Sequence, residues 1–256
     1  VKIAVFGPSG MLGRQVVKQL GEQAVPIYRR MADLTNLASV QRVVDGCDAA
    51  INCAGVIPVK NTSVLDMIYV NAVFPHVLVS VGLPTVLVST DCVFSGRNQY
   101  RYKITHIPDP RDYYGRSKSM GEVFAANACV VRTSFIGCDH GFMAFVLAAG
   151  FAAKSLGATQ RIDGYKNALW SGSTVQEVAS QLIKLVGETG LVHLSTETTI
   201  SKYDLARKII DLYELDVHVI PSYQPVINRA LEPTHPLRPL DVCLAEYKCT
   251  GAELVA

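Results

Sequence analysis

Long apolar runs are absent from this 256-residue chain. The longest are about strand length and are broken by polar residues, well short of the ~20 residues that cross a bilayer. An excess of one charge is lacking too. The 24 Lys and Arg and 22 Asp and Glu are mixed along the whole length, which argues against nucleic acid or an anionic membrane as the main partner. The seven cysteines (Cys47, Cys53, Cys92, Cys129, Cys138, Cys243 and Cys249) include no Cys-x-x-Cys pair, and their odd number suits no complete disulfide framework. The histidines show no paired spacing for a metal. These absences predict buried reduced thiols, no metal site and a cytoplasmic setting. No charged n-region or apolar h-region precedes the opening Val1-Lys2-Ile3, so no secretory leader is expected. Internal repeats and low-complexity tracts are missing as well. What is present, 49% hydrophobic and 18% charged residues, is the composition of a globular protein with one substantial core.

Short apolar strands alternate with helical patterns through the first half. Strands are predicted at 2–6, 25–29, 49–52, 85–89 and 130–133. Helices are predicted at 11–20, near 39–44 and at 64–81, where Gly82-Leu83-Pro84 stops the last. Strands that are apolar throughout belong to a parallel sheet covered on both faces. The expected fold is therefore α/β, a Rossmann-like doubly wound parallel sheet with a smaller C-terminal substrate-binding lobe. Ligands bind such sheets at the carboxyl ends of their strands. Beyond Thr133 the pattern turns irregular around a helix at 174–186, a strand at 191–194 and a helix at 202–213. The Pro-rich stretch from 221 to 239 is not expected in the Rossmann core. The division predicted is a dinucleotide-binding domain at 1–134, joined by 174–195, with the lobe formed by 135–173 and 196–256.

Gly7-Pro8-Ser9-Gly10-Met11-Leu12-Gly13 falls where the first strand ends and the first helix begins. Glycines there allow a tight turn, close approach to a pyrophosphate and close helix–strand packing, and the helix N-terminus favours an anion. The second strand runs out into Tyr28-Arg29-Arg30 without a carboxylate for a ribose 2′-hydroxyl. A solvated basic turn is the plain alternative, but arginines there suit a 2′-phosphate, so NADPH is the expected cofactor, with NADH as the other candidate.

Tyr114-Gly-Arg-Ser-Lys118 opens a predicted helix, and a spacing of four puts phenol and ammonium on one face. A tyrosine serves as an acid or base near neutrality if a cation lowers its pKa, the part expected of Lys118. Tyr113 has Ser117 four residues on and lacks such a partner. Thr90 closes the strand at 85–89, where its hydroxyl can hydrogen-bond a substrate carbonyl beside the tyrosine. A strand-capping turn explains Thr90 alone; it does not explain glycine loop, hydroxyl and Tyr/Lys pair arriving in this order.

With these segments in place the chain resembles the dTDP-4-dehydrorhamnose reductase-like family of extended short-chain dehydrogenases. The resemblance is carried by residues 7–13, Asp33-Leu34-Thr35-Asn36, Asn52-Cys53-Ala54-Gly55 and Val70-Asn71-Ala72. It continues through Ser89-Thr90-Asp91-Cys92-Val93-Phe94-Ser95-Gly96, residues 114–122 and Arg132-Thr133-Ser134, with weaker echoes at 170–174, 200–203 and Arg238-Pro239. It implies a dinucleotide held by the glycine loop, by Asp33 and Leu34 near the adenine, and by Cys53, Ala54, Gly55 and Asn71 along its length. Lys118 then also meets the nicotinamide ribose. A nucleotide sugar is implied as substrate, against Thr90, Asp91, Cys92, Phe135 and Trp170. Cys92 stands where related dehydratases carry a glutamate, which disfavours elimination; the reductases carry an aromatic there, and often Trp where this chain has Phe135. Reduction of a nucleotide-linked 4-keto sugar is thus the expected activity. An epimerase with tightly held NAD, or a non-catalytic regulatory subunit like the β subunit of methionine adenosyltransferase, are the alternatives. Arg132 and Arg238 could meet substrate phosphate or pair with carboxylates. A homodimer is the default expectation.

Overall fold

The structure, a computed structural model, describes residues 1–58 and 62–249. Seven parallel strands form its main sheet: β1 (Ile3–Phe6), β2 (Ala24–Ile27), β3 (Ala49–Asn52), β4 (Thr85–Thr90), β5 (Ala128–Thr133), β6 (Gly190–Thr196) and β7 (His235–Leu237). Their order across the sheet is β7-β6-β5-β4-β3-β1-β2. The chain leaves β1 toward one side for β2 and returns to its other side for β3. The carboxyl ends of β1 and β3 therefore flank a switch point, where such sheets open a ligand crevice.

Apolar residues on both pleat faces explain why the sheet is covered twice. Ile3 and Val5 join a core with Leu12, Val16, Val178 and Leu182, while Ala4 and Phe6 point the other way, toward Val40, Phe74 and Leu78. The Met11–Leu20 helix follows the apolar spacing read from the sequence, with Leu12, Val16 and Leu20 buried. The helix expected at 64–81 is realised as Val64–Met67, a π-helical segment Ile68–Val73 and Phe74–Val79. The wide turn surrounds Asn71, whose side chain reaches out to the neighbouring loop, and such π segments tend to accompany functional sites.

Two expectations are corrected. The Pro-rich stretch was placed outside the Rossmann core, yet His235–Leu237 adds the edge strand of the main sheet, pairing with β6 from Leu194 to Thr196. Pro236 is tolerated because an edge strand has one unpaired side. The cysteines were expected to be reduced throughout, yet Cys138 and Cys249 are joined as a disulfide. The residues after Tyr247 return to the loop following β5, with Tyr247 Oη accepting from Cys138 N and Tyr213 Oη donating to Tyr247 O. The two Cα atoms thus lie 5.8 Å apart, within disulfide reach.

The rest of the lobe joins small sheets to the Phe142–Leu156 and Lys202–Leu212 helices. Ala168–Trp170 pairs with Ile200–Ser201 and Ile227–Asn228, and Gln160–Tyr165 pairs with Val217–Ser222. No helix among the described residues is long and apolar enough to cross a membrane.

Candidate active site

Two adjoining cavities run along the carboxyl ends of the strands, and Gly10, Cys53, Ala54 and Gly55 line both. The smaller, about 240 Å³, lies over the glycine loop and extends through Gly7, Ser9 and Leu34 to Arg29. The larger, about 470 Å³, takes in Met11 and Leu12 and reaches Thr90, Asp91, Cys92, Tyr114, Lys118 and Phe135. The Met11–Leu20 helix starts at Gly10 with no side-chain cap, which leaves its first N–H groups to whatever occupies the cleft. Gly13 lines neither cavity. Its role is packing, since a Cβ there would come within 2.0 Å of Gly7 O.

At the far end of the small cavity Arg29 points to Asp66 at 3.2 Å, both side chains being largely in solvent. Arg30 was assigned beside it, but its guanidinium lies 5.0 Å over the Tyr28 ring and it lines neither cavity. Asp33 is exposed next to Leu34, and its carboxylate accepts from Thr35 N and Oγ1, which lowers its pKa. Asn71 lies beside Gly55 but does not line the cleft. Its Oδ1 accepts from Val56 N at 2.8 Å, while Nδ2 donates to Val56 O and to Ser117 Oγ. Asn71 thus straps the loop after β3 to the Tyr113–Met120 helix.

Asp112 caps the Tyr113–Met120 helix by accepting from Gly115 N at 2.7 Å. That helix packs hard onto the turn after β4, because a Cβ on Gly115 would sit 2.2 Å from Cys92 O. The close approach brings Tyr114 and Lys118 to Thr90, the last residue of β4, whose hydroxyl accepts from Cys92 N. Lys118 was expected to act directly on the phenol. Its Nζ donates one N–H to Val88 O at 2.7 Å, and burial brings its pKa down to about 8 although Glu122 opposes the shift. Burial also raises the Tyr114 pKa, reinforced by Cys92 and countered by the Thr90 hydroxyl. At neutral pH the residue is a phenol, able to donate a proton into the cavity.

Beneath this site lies a fully buried ion pair. Arg132 donates from Nε and Nη2 to the two Glu122 oxygens at 2.8 and 2.7 Å, and Ser89 Oγ donates to Oε1 at 2.7 Å. Arg132 is thus committed to a carboxylate, and so is Arg238, which pairs with Glu177 and Glu246. Trp170 was assigned to the substrate, but it is 3% exposed, donates from Nε1 to Ser134 Oγ at 2.8 Å and lines neither cavity. It packs behind the wall that Ser134 and Phe135 present.

The structure adds residues that the sequence reading did not assign. Val88, Ser134 and His140 line the large cavity. Ser134 belongs to the Arg132-Thr133-Ser134 motif and could have been found there, whereas His140 sits in an irregular loop with no local signal. Among the described residues no group of three or more His, Cys, Asp or Glu could hold a metal ion.

Known proteins resemble the chain over most of its length. The spore coat polysaccharide biosynthesis protein SpsK of Bacillus subtilis is 25% identical over 260 residues, covering 90% of each chain. A dTDP-4-dehydrorhamnose reductase of Mycobacterium tuberculosis is 29% identical over 235 residues, covering 82% of this chain and 75% of its own. The crystal structure of the Bacillus anthracis dTDP-4-dehydrorhamnose reductase in complex with NADP superposes with a TM-score of 0.84 at 22% identity, covering 96% of this chain and 98% of that one. Residues 1–252 match the family described as RmlD substrate binding domain, and the chain belongs to that family.

Proposed function

We propose that this protein is an NADPH-dependent oxidoreductase that reduces a nucleotide-linked 4-keto sugar. The observation that carries the reading is the shared cavity in which Thr90, Tyr114 and Lys118 meet the open end of the glycine-loop helix. Relatives named as dTDP-sugar reductases, and one solved with NADP, support the substrate class and the cofactor. The residues present fit a dinucleotide. Two connected cavities run from Arg29 to Lys118, and the helix N–H groups at Gly10 are free of a side-chain cap.

The glycine loop and helix N-terminus hold the pyrophosphate, and Cys53, Ala54 and Gly55 line the path toward the catalytic end. Arg29 stands where a 2′-phosphate would enter. When bound, the nicotinamide supplies the two-electron reduction of the keto carbon. Thr90 Oγ1 orients the carbonyl, and Tyr114 transfers its phenolic proton to the carbonyl oxygen as that oxygen gains electron density. A raised phenol pKa keeps the proton in place until then, and the Lys118 charge stabilises the phenolate left behind. Cys92, its thiol pushed up to about 12 by burial, is neutral and cannot replace a general acid–base carboxylate in an elimination.

The test is a panel of nucleotide-linked 4-keto sugars incubated with NADPH or NADH, with products identified. Stoichiometric NADPH consumption and a 4-hydroxy product are expected. A bound dinucleotide that never turns over while the sugar is epimerised would instead assign an epimerase.

A further inference from the structure

The lobe side of the cleft carries a cation that neither the catalytic residues nor the protein's own ion pairs use. Lys202 begins the Lys202–Leu212 helix, directly after Ser201, whose hydroxyl caps it by accepting from Asp204 N. Its Nζ lies 4.6 Å from the Phe142 ring and 4.6 Å from the Trp170 ring. Both rings stand next to residues that line the cavity, although neither ring, nor Lys202 itself, is part of the lining. Trp170 is bonded to Ser134, Phe142 follows His140 by two residues, and Ser134 and His140 are lining residues. From the Rossmann side, Asp91 and Cys92 act on the same ammonium electrostatically.

Among the described residues no oxygen accepts a hydrogen bond from Lys202 Nζ, and no carboxylate forms an ion pair with it. An ammonium has three donors, and aromatic faces satisfy its charge only in part. Burial consequently brings its pKa down to about 8, against the pull of Asp91 and Cys92. The neighbouring Arg229 is already committed. Its Nε donates to Phe94 O at 3.1 Å, Nη1 reaches Cys92 Sγ at 3.2 Å and Nη2 lies 3.9 Å from Asp112. Lys202 is therefore the donor left over, in a place where an anion would gain most from it.

We propose that Lys202 is an anion-recognition residue on the substrate side of the cleft, donating to a diphosphate oxygen of a nucleotide-linked substrate. The proposal rests on the reductase reading for where the substrate lies. An uncharged sugar hydroxyl would accept a hydrogen bond but leave the ammonium's charge uncompensated, whereas a phosphate oxygen answers both. With the sugar carbonyl at Tyr114 and Thr90, the diphosphate then lies between the Rossmann edge at Cys92 and the first turn of the Lys202 helix.

The test is calorimetric titration of the whole protein, loaded with NADP⁺, using dTDP, UDP and GDP and their nucleosides. Buffers of differing ionisation enthalpy at pH 8.5 report proton exchange. At least one diphosphate is expected to bind with uptake of on the order of half a proton, since binding restores the charge that Lys202 has partly lost there. The groups facing Lys202 are Asp91 and Cys92 with the Phe142 and Trp170 rings, and all four are retained in the variants. Lys202→Gln should weaken the diphosphate roughly tenfold or more and remove the proton uptake, while leaving nucleoside binding unchanged. Lys202→Arg should keep most of the affinity, without proton uptake, and also serves if Lys202→Gln folds poorly. Equal diphosphate affinity in wild type and Lys202→Gln overturns the proposal. So does an equal loss for the nucleosides, failure of all three diphosphates to bind, or Lys202-dependent binding of a uronate in place of the diphosphate. Failure of the reductase reading looks different: Lys202-dependent diphosphate binding would persist with no NADPH consumed on any keto sugar.

Discussion

Arg132→Met removes the cation from an ion pair whose two side chains are each 3% exposed. Glu122 would keep the Ser89 hydroxyl at 2.7 Å but lose both guanidinium bonds, at 2.8 and 2.7 Å, leaving a buried carboxylate without its counter-charge. His193, whose Nε2 lies 3.3 Å from Arg132 Nη1, has its pKa lowered first by burial, which persists in the variant, and then by Arg132 itself. Breaking a buried pair from one side costs about 3–5 kcal/mol. For a chain of this length each kcal/mol lowers Tm by about 2–4 °C, so the variant should melt roughly 6–20 °C lower. Removing both partners is a different perturbation. Arg132→Met with Glu122→Met deletes both charges, and apolar groups of similar volume often replace such a pair at little cost. The double variant should therefore recover most of the loss, although the Ser89 hydroxyl loses its acceptor. Urea and thermal unfolding at pH 7.5, followed by circular dichroism, measure both. A single variant within about 1 kcal/mol of wild type, or a double variant as unstable as the single, would refute the reasoning.

Three further outcomes are expected. His193 has its pKa lowered from 6.5 to about 4, first by burial and then by Arg132. The unfolded state takes up the proton first, so the stability present above pH 6.5 falls as pH drops toward 4, by about 3 kcal/mol from this group. Urea unfolding across that range should show a shallower slope for His193→Gln, and an unchanged slope contradicts the assignment. Gly13→Ala forces a methyl to within 2.0 Å of Gly7 O, so it should lose about 1–3 kcal/mol of stability together with most dinucleotide affinity. Fluorescence titration with NADPH and thermal melting check this, and wild-type values in both refute it. Arg29→Ala should weaken NADPH roughly tenfold and leave NADH nearly unchanged, as separate titrations will show; equal losses for both would remove Arg29 from recognition of the 2′-phosphate.

Much of this architecture could be read locally. The glycine loop, the apolar strands and the four-residue spacing of Tyr114 and Lys118 are short-range patterns, and each maps onto the element it implied. What the sequence concealed depends on distant segments. Asn71 stands in a family motif, but the partners of its side chain, Val56 and Ser117, come from other segments. Trp170 is drawn inward by Ser134, and Arg30 is diverted by Tyr28. His235–Leu237 is too short and too rich in proline to register as a strand, and it becomes one by docking on β6. Lys202 stands in the weak family echo at 200–203, but its surroundings come from residues near 91, 142 and 170. Lys118 carried a clear motif, yet the acceptor it takes, Val88 O on β4, cannot be read from the local spacing.

Tyr114→Phe tests the central claim most directly, because it removes one oxygen from the cavity and leaves the ring in place. Single-turnover reduction of the keto-sugar nucleotide identified by the substrate panel, measured beside NADPH affinity, should show the rate lost by at least about a hundredfold and the dinucleotide affinity essentially unchanged. A Tyr114→Phe protein that reduces the sugar at the wild-type rate would contradict the account.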